Sequence, residues 1–346
     1  MGWQPHKFQK PFRTDIYRTY FLEDRHTVSE KLYIVVPCYN EEEVLPETSK
    51  KLKEKLESLI ERDLISPESK IVFVNDGSKD RTWPIIVELH KSDPHFSGIC
   101  LTRNRGHQNA LMAGLMECRN RADIIISMDA DLQDDIGAVD QMLEEYRKGN
   151  DIVYGVRSSR KTDTFFKRFT AESYYKVMRM LGVELVFNHA DYRLLSRRAL
   201  DGLAEYKEVN LFLRGIVPQI GYDTAIVTYE RKERFAGESK YPLKKMLSFA
   251  LDGITSFSVK PMKIIINIGI LVFLVSIIMM IYTLHAKIVG RTVSGWTSLM
   301  VSIWMIGGIQ LLCLGVIGEY IGKIYSESKH RPRYLIKENL EDEEEQ

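Results

Sequence analysis

Short apolar runs recur along the first half of the chain and are separated by segments with helical spacing. Five runs predict strands, at residues 32–36, 71–75, 99–102, 124–128 and 152–156. Between the first two, residues 41–62 carry leucines at helical spacing among Lys and Glu. Alternation of this kind is typical of a parallel sheet with helices on both faces. The pattern predicts a doubly wound α/β domain.

A polar cluster follows each of the first four predicted strands. The clusters read PCYNEE, NDGSKD, RNRGHQ and DADLQD, and they begin at Pro37, Asn75, Arg103 and Asp129. One cluster alone is explained by a turn or a helix cap. Four of them at one sheet edge predict a ligand site beyond the carboxyl ends of the strands. The chain contains neither GxGxxG nor GxxxxGK[ST], so the common dinucleotide and P-loop classes are excluded.

The fourth cluster carries paired carboxylates. Asp129 and Asp131 can share a divalent cation, and Gln133 can add a neutral oxygen. Such hard oxygen ligands suit Mg²⁺ or Mn²⁺ bridging phosphates. A capped turn explains a bare DxD equally well, so both interpretations stay open. His107, in the third cluster, is better explained by capping or hydrogen bonding than by catalysis.

The second half of the chain contains two uncharged apolar runs, at 264–284 and 296–318. Each is long enough to cross a hydrocarbon core of about 30 Å. Lysines and arginines flank the outer ends, which predicts a hairpin with the catalytic part and both termini in the cytoplasm. Residues 243–260 are amphipathic, which favours a helix lying on the membrane surface over one packed on the domain. The expected location is therefore the cell membrane, with two passes.

Composition adds limits to this picture. The 346 residues carry a formal net charge of +1, with 27% charged and 45% hydrophobic residues, which argues against a disordered chain and against a nucleic-acid partner. Four cysteines without a CxxC pair argue against a disulfide framework or a zinc site. The expected units are an extension at 1–29, a catalytic domain at 30–242, the amphipathic helix, a hairpin at 261–322 and an acidic cytoplasmic tail at 323–346.

The segments VPCYNEEEVL, VNDGSKDRT, RNRGHQNAL and SMDADLQD, in this order, resemble the family 2 glycosyltransferases with the GT-A fold. The later segments HADYRLLSRR, NLFLRGIVPQIGY and RFAGESK narrow the resemblance to polyprenyl-phosphate glycosyltransferases. These are relatives of dolichyl-phosphate mannose synthase and of the bactoprenol glucosyltransferases. The resemblance covers residues 30–242 and the two apolar runs that follow.

The resemblance implies roles for individual residues. The nucleotide sugar would be bound by Pro37, Tyr39, Glu41, Asp76, Arg103 and Asp129. The metal, Mg²⁺ or Mn²⁺, would be held by Asp129, Asp131 and Gln133. The lipid phosphate would be received by Arg157, Arg168, Arg234, Ser239 and Lys240. The groups implied in catalysis are Asp129, Asp131, Asp191 and Arg157.

Asp191 matches a family acid that acts either as a base or as an orienting group. The acceptor is a phosphate monoester, which is largely a dianion at pH 7 and does not need a strong base. We therefore expect Asp191 to orient arginines or the sugar.

The implied activity is inverting transfer of a hexose from a UDP-sugar to undecaprenyl or another polyprenyl phosphate on the cytoplasmic leaflet. UDP-glucose is the first choice of donor, and UDP-N-acetylglucosamine is the alternative. Membrane lipids and a homo-oligomer, with a tetramer as one arrangement, are the other expected partners. A processive polysaccharide synthase is disfavoured because the chain lacks QxxRW. A non-catalytic nucleotide-binding scaffold is disfavoured by the intact Asp129 and Asp131.

Overall fold

The structure is a computed structural model that describes residues 29–158, 189–209, 211–230 and 295–341, with eight isolated positions between 265 and 281. Several predicted features lie outside the described residues: Arg168, Arg234, Ser239, Lys240, the amphipathic segment 243–260 and residues 1–28 of the extension.

Strands and helices alternate through the first part of the chain, as the apolar runs predict. The strands are β1 (Leu32–Cys38), β2 (Lys70–Asn75), β3 (Phe96–Leu101), β4 (Ile124–Ser127), β5 (Ile152–Arg157), β6 (His189–Ser196), β7 (Thr224–Tyr229) and β8 (Ile336–Asn339). The helices are α1 (Leu45–Glu61), α2 (Thr82–Ser92), α3 (His107–Cys118), α4 (Ala138–Arg147), α5 (Arg197–Ala204), α6 (Leu213–Gln219) and α7 (Trp296–Ser328).

The described strands form one sheet in the order β7-β5-β6-β4-β1-β2-β3-β8. Strands β3, β2, β1 and β4 are parallel neighbours, and β5 is parallel to β7. The sheet is mixed rather than wholly parallel, because β6 runs antiparallel between β4 and β5, and β8 runs antiparallel to β3. The strand order reverses between β1 and β4, and such a switch point is where open α/β sheets bind ligands.

The core lies on both faces of the sheet. Along β1, Leu32, Ile34 and Val36 pack in a cluster that includes residues of α1 and α4, while Tyr33 and Val35 pack in the cluster that includes α3 and α5. Every residue of β1 is buried, as expected for a strand covered on both faces.

A glycine brings α3 close to the sheet. A Cβ atom at Gly114 would meet the side chain of Val35 and would lie 2.7 Å from Val74 Cγ2. This close packing holds the first turn of α3 at the edge where the polar clusters meet.

The chain after α7 returns to the sheet. Strand β8 pairs with β3, and the buried Glu341 accepts a hydrogen bond from Arg121 at 2.6 Å and lies 3.3 Å from Lys70 Nζ. This differs from the acidic tail expected over 323–346, because strand pairing and two ion pairs hold these residues against the domain. Residues 342–346 lie outside the described part.

The structure corrects the prediction of a transmembrane hairpin. In the described part of the chain, no helix is long and apolar enough to cross a membrane. The second predicted span, 296–318, belongs to α7, which continues to Ser328 through the charged residues Glu319, Lys323 and Glu327. Of the first predicted span, 264–284, only isolated positions are described.

Candidate active site

The loops after β1, β2, β3 and β4 meet at one edge of the sheet, and each contains one residue with left-handed backbone. These residues are Asn40 (φ 55°), Gly77 (φ 64°), Gly106 (φ 87°) and Leu132 (φ 56°). A leucine in this conformation costs of the order of 1–3 kcal/mol, and such strain clusters at functional sites. The strained turn is the one that carries the paired carboxylates.

The second and third loops are built as one unit. The buried Asp76 carboxylate accepts hydrogen bonds from the backbone N–H groups of Arg105 (2.7 Å) and Gly106 (2.8 Å). Gly77 lies against the same loop, because a Cβ atom there would be 2.5 Å from the backbone nitrogen of Asn104. Burial raises the pKa of Asp76 and outweighs the two backbone donors, which lower it. In this structure Asp76 holds the RNRGHQ loop in place.

The first loop is tied to the second by backbone contacts. The Asn40 backbone N–H donates to Ser78 Oγ at 3.0 Å, and the Asn40 side-chain oxygen accepts from the Lys79 N–H at 2.9 Å. The Glu41 backbone N–H donates to Thr82 Oγ1 at 2.9 Å. These bonds fix the loop backbone beside Tyr39, whose side chain is exposed.

The predicted nucleotide-binding residues therefore lie at one edge of the sheet. Tyr39 and Arg103 are exposed at the edge, and Glu41 is half-buried. Pro37 and Asp76 are buried beneath them.

Asp129 and Asp131 lie in the turn directly after β4. The Asp131 carboxylate accepts a hydrogen bond from the backbone N–H of Gln133 at 3.1 Å, and the Gln133 side chain is buried. Burial raises the pKa of Asp129 to about 6, and the neighbouring Asp134, Asp191 and Asp131 add to this while His107 opposes it. The turn thus concentrates negative charge around Asp129, which has no lysine or arginine partner among the described residues.

Asp191 lies at the start of β6, and its neighbours are cationic whereas those of Asp129 are mainly acidic. Its carboxylate accepts hydrogen bonds from the buried Arg193 and, at 3.2 Å and 3.4 Å, from Arg214. Burial acts to raise the pKa of Asp191, but Arg214, His107 and Arg193 hold it well below its ordinary range. Asp191 is therefore a strongly ionised group that already has its cationic partners.

His107 stands between these two carboxylates as the first residue of α3. Its Nε2 lies 3.5 Å from Asp129 Oδ1 and 3.5 Å from Asp191 Oδ2. Burial lowers the pKa of His107, but Asp191 and Asp129 raise it more, and the net shift is upward. This contact brings His107 into the site as a hydrogen-bonding residue, the kind of role that the sequence favours over catalysis.

Arg157, at the end of β5, is joined to the β4–α4 turn. Its Nη2 donates to Asp134 at 3.2 Å, and its Nε donates to the hydroxyl of Tyr229 at 3.2 Å. The Tyr229 hydroxyl in turn donates to the same buried Asp134 carboxylate. Asp134, Tyr229 and Arg214 were not among the predicted site residues, although Asp134 and Arg214 lie within segments that carried the family resemblance.

The candidate metal ligands can be compared with what a cation requires. Asp129, Asp131 and Gln133 share one turn, but within the described ranges no three His, Cys, Asp or Glu side chains converge as a metal-binding group. Two carboxylates with one amide oxygen suit a hard cation that takes its other ligands from phosphates and water. The residues present fit a Mg²⁺ or Mn²⁺ ion shared with a diphosphate.

An α/β sheet with a DxD turn at its switch point defines the class of glycosyltransferases with the GT-A fold. The chain belongs to the glycosyl transferase family 2, whose model matches residues 33–203. A second model, described as the GtrB C-terminal hairpin, matches residues 260–324. The resemblance predicted from the four polar clusters is thereby confirmed, and the protein is a glycosyltransferase.

Two relatives identified by sequence agree with this assignment. The chain is 54% identical over 313 residues to the uncharacterized glycosyltransferase YkoT of Bacillus subtilis, covering 90% of this chain and 93% of that protein. It is 43% identical over 312 residues to the bactoprenol glucosyl transferase of Shigella phage SfV, covering 89% and 98%. A solved structure of glucosyl-3-phosphoglycerate synthase from Mycobacterium tuberculosis is similar with a TM-score of 0.43 at 15% identity, covering 72% and 84%.

Proposed function

We propose that this protein transfers glucose from UDP-glucose to a polyprenyl phosphate, with inversion at the anomeric carbon and with help from a divalent metal. The similarity to bactoprenol glucosyl transferases supports the glucosyl group and the lipid acceptor. The observation that carries the proposal is that Asp129, in the DxD turn, and the arginine-bound Asp191 both lie 3.5 Å from the same nitrogen of His107. The reaction takes place at the cytoplasmic face of the membrane, where a nucleotide sugar meets a lipid phosphate.

Asp129, Asp131 and Gln133 would hold the metal. When bound, a divalent cation stabilises the negative charge that develops on the departing diphosphate. The raised pKa of Asp129 supports this role, because burial and neighbouring carboxylates make its ionised form unfavourable without a cation. The exposed Tyr39 and Arg103 at the same edge are placed to bind the nucleotide.

The acceptor chemistry determines what Asp191 does. A phosphate monoester with a second pKa of about 6 reaches the site largely as a dianion at pH 7, so little proton removal is needed. A carboxylate whose pKa is held far below its ordinary range is a weak base. Asp191 therefore orients Arg214 and His107 instead of accepting a proton. The side chain of Arg214 is 45% exposed, so one side of its guanidinium can meet an anion.

The direct test is an assay of the full-length protein with radiolabelled UDP-glucose, undecaprenyl phosphate and Mg²⁺. We expect label in the organic phase, and loss of that label in excess EDTA. Equal label without any divalent metal would contradict the metal, and no organic label with any donor would contradict the lipid acceptor. Label in an aqueous polymer would instead indicate a polysaccharide synthase.

A panel of UDP-glucose, UDP-N-acetylglucosamine and GDP-mannose identifies the sugar in the same assay. We expect UDP-glucose to give the highest kcat/KM. A higher value with UDP-N-acetylglucosamine would replace the sugar in the proposal and leave the class of reaction unchanged.

A further inference from the structure

A basic cavity lies beside α3, away from the carboxylates. It has a volume of about 310 Å³ and is formed by the β3–α3 loop, residue 209 and the chain at the end of α7. Four of its lining residues are cationic: Arg105, Lys329, Arg331 and Arg333. None of the lining residues that the structure describes is acidic. The side chains that line the basic cavity therefore include four cations and no carboxylate.

One side-chain nitrogen of a cavity arginine has no hydrogen-bond acceptor within the described part of the chain. The Nε atom of Arg105 is buried without a hydrogen-bond partner. Arg333 donates to the backbone carbonyl of Tyr206, and Lys329 Nζ lies 4.0 Å from the centroid of the Tyr325 ring. Neither is paired with a carboxylate of the residues that the structure describes. A buried donor without an acceptor costs of the order of 1–3 kcal/mol, and more when it is charged. An anion in the cavity would remove this cost.

The chain at the end of α7 is shaped to present these cations. His330 adopts a left-handed backbone (φ 46°), and its N–H donates to the carbonyl of Glu327 at 3.1 Å, which ends the helix. The Glu327 carboxylate accepts from the backbone N–H of Val209 at 2.8 Å and so ties the helix end to the opposite wall. Pro332 restricts the backbone of Arg331 to extended conformations. The arginines are thus held by a rigid turn and not by a mobile loop.

An aromatic side chain of α7 lines the basic cavity, and exposed apolar side chains precede it on the same helix. Tyr325 lines the basic cavity, and Ile321 and Ile324, which precede Tyr325 on α7, are 59% and 67% exposed. A phosphate group attached to an apolar chain would match both surfaces, with its anion among the arginines and its chain along α7. A free phosphate would match the arginines alone.

We propose that the basic cavity is a phosphate-binding site formed by residues other than those assigned to the donor, the metal and the acceptor of the transfer reaction. Its ligand is a phosphate monoester, supplied by a lipid headgroup or by a free phosphate. The site goes beyond the proposed transfer, since none of its four cations belongs to the residues assigned to that reaction.

The test measures binding and not sugar transfer. Because the acceptor site of the proposed function would also bind an alkyl phosphate, each titration compares the wild type with Arg331→Gln, and only binding that this variant weakens is assigned to the basic cavity. The purified full-length protein in dodecyl maltoside is titrated calorimetrically with dodecyl phosphate and, separately, with inorganic phosphate. Tighter binding of dodecyl phosphate would identify a lipid headgroup, and equal binding would identify a free phosphate. Absence of saturable binding for both ligands would overturn the proposal.

The variant Arg331→Gln locates the site. Charge-assisted hydrogen bonds contribute enough that we expect its Kd for phosphate to rise about tenfold. Lys91→Gln, an equal charge change at an exposed position of α2, should leave the Kd unchanged. Arg331→Lys, which keeps the charge but loses the bidentate geometry, should give an intermediate Kd. An unchanged Kd in Arg331→Gln, with an unchanged melting temperature, would overturn the assignment to this cavity.

Discussion

Asp129 and Asp191 lie on either side of one imidazole, yet they have opposite electrostatic environments. Each carboxylate is 3.5 Å from His107 Nε2. The pKa of Asp129 is raised to about 6, whereas the pKa of Asp191 is held well below its ordinary range. The contrast shows that burial alone does not set the charge of a carboxylate in this cleft. The neighbours that each strand brings to it decide the outcome.

Sheet topology supplies those neighbours. The β4 turn brings Asp131 and Asp134 towards Asp129, so the charges that this turn itself supplies are negative. The antiparallel β6 brings Arg193 to Asp191, and α6 brings Arg214. Arg193 is 1% exposed, and its register partner on β4 is Ser127. Asp129 is therefore available to bind a metal ion, whereas Asp191 is already paired with Arg193 and Arg214.

The largest expected effect comes from removing the Asp129 carboxylate. Asp129→Asn should lower the transfer rate at least about 100-fold, because a metal-stabilised leaving group is worth several kcal/mol in the transition state. The measurement is the initial rate with saturating UDP-glucose, with circular dichroism to check folding. Asp201→Asn, the same change at an exposed position of α5, serves as the control and should keep the wild-type rate. A rate within a factor of three of wild type in Asp129→Asn would contradict a metal at this position.

A smaller effect is expected from removing one of the arginines that pair with Asp191. Arg214→Gln removes the main cationic influence on Asp191, so the pKa of Asp191 should rise towards its ordinary value. Because the ionised form is the orienting one, activity should fall about tenfold and the acid limb of the pH–rate profile should move to higher pH. Arg214→Lys keeps the charge and should move the limb less. A variant with reduced rate but an unshifted acid limb would show that Arg214 acts without Asp191.

Much of this arrangement follows from local sequence pattern. The five apolar runs correspond to β1–β5, since a strand buried on both faces needs continuous apolar residues. The four polar clusters meet at one edge because the carboxyl ends of β1–β4 lie side by side.

Strand β6 was harder to predict because its pattern is misleading. His189, Asp191 and Arg193 alternate with apolar residues, which is typical of a strand with one exposed face. Arg193 is nonetheless buried, since its ion pair with Asp191 replaces hydration. The local sequence does not predict that β6 lies between β4 and β5, or that Arg193 is buried against Asp191.

Strand β8 has almost no local signal. Its four residues, IKEN, contain one apolar side chain. It pairs with the open edge of β3, and the neighbouring Glu341 bonds to Arg121, a residue far away in sequence. Contacts of this kind depend on the completed fold, so composition suggested an acidic tail instead.

The two carboxylates should also differ in how they link stability to pH. The folded pKa of Asp129, about 6, lies above the unfolded value of about 3.9. Below about pH 3.9 the side chain is protonated in both states and does not affect stability, whereas the folded protein loses stability as the pH rises through about 6. The side chain is 32% exposed, and solvent screening reduces the loss to about 1–2 kcal/mol. Urea unfolding without metal should show Asp129→Asn gaining stability over wild type at pH 7 but not at pH 4.

Metal should cancel that gain. Adding Mn²⁺ at pH 7 should stabilise the wild type and leave Asp129→Asn nearly unchanged. An equal response of both proteins to Mn²⁺ would show that the ion binds elsewhere.

The smallest effect is expected at the contact between β4 and β6. The buried hydroxyl of Ser127 donates to the backbone carbonyl of Asp191. Ser127→Ala should lower the free energy of unfolding by about 1 kcal/mol, because the carbonyl loses a buried partner. Ser92→Ala removes an exposed hydroxyl bonded to the Leu89 carbonyl and should cost less. Equal losses of unfolding free energy in the two variants would mean that the buried hydrogen bond between the strands stabilises the fold no more than an exposed one.

The most direct test of the contrast is an NMR titration of the protein with ¹³C-labelled aspartate carboxylates, assigned through Asp129→Asn and Asp191→Asn. Without metal, we predict that the Asp129 carboxyl titrates near pH 6 and that Asp191 stays ionised below pH 4. With saturating Mg²⁺, the Asp129 transition should move to lower pH, while Asp191 should not change. Titration of both carboxylates at the same pH, or a Mg²⁺ response confined to Asp191, would contradict the account.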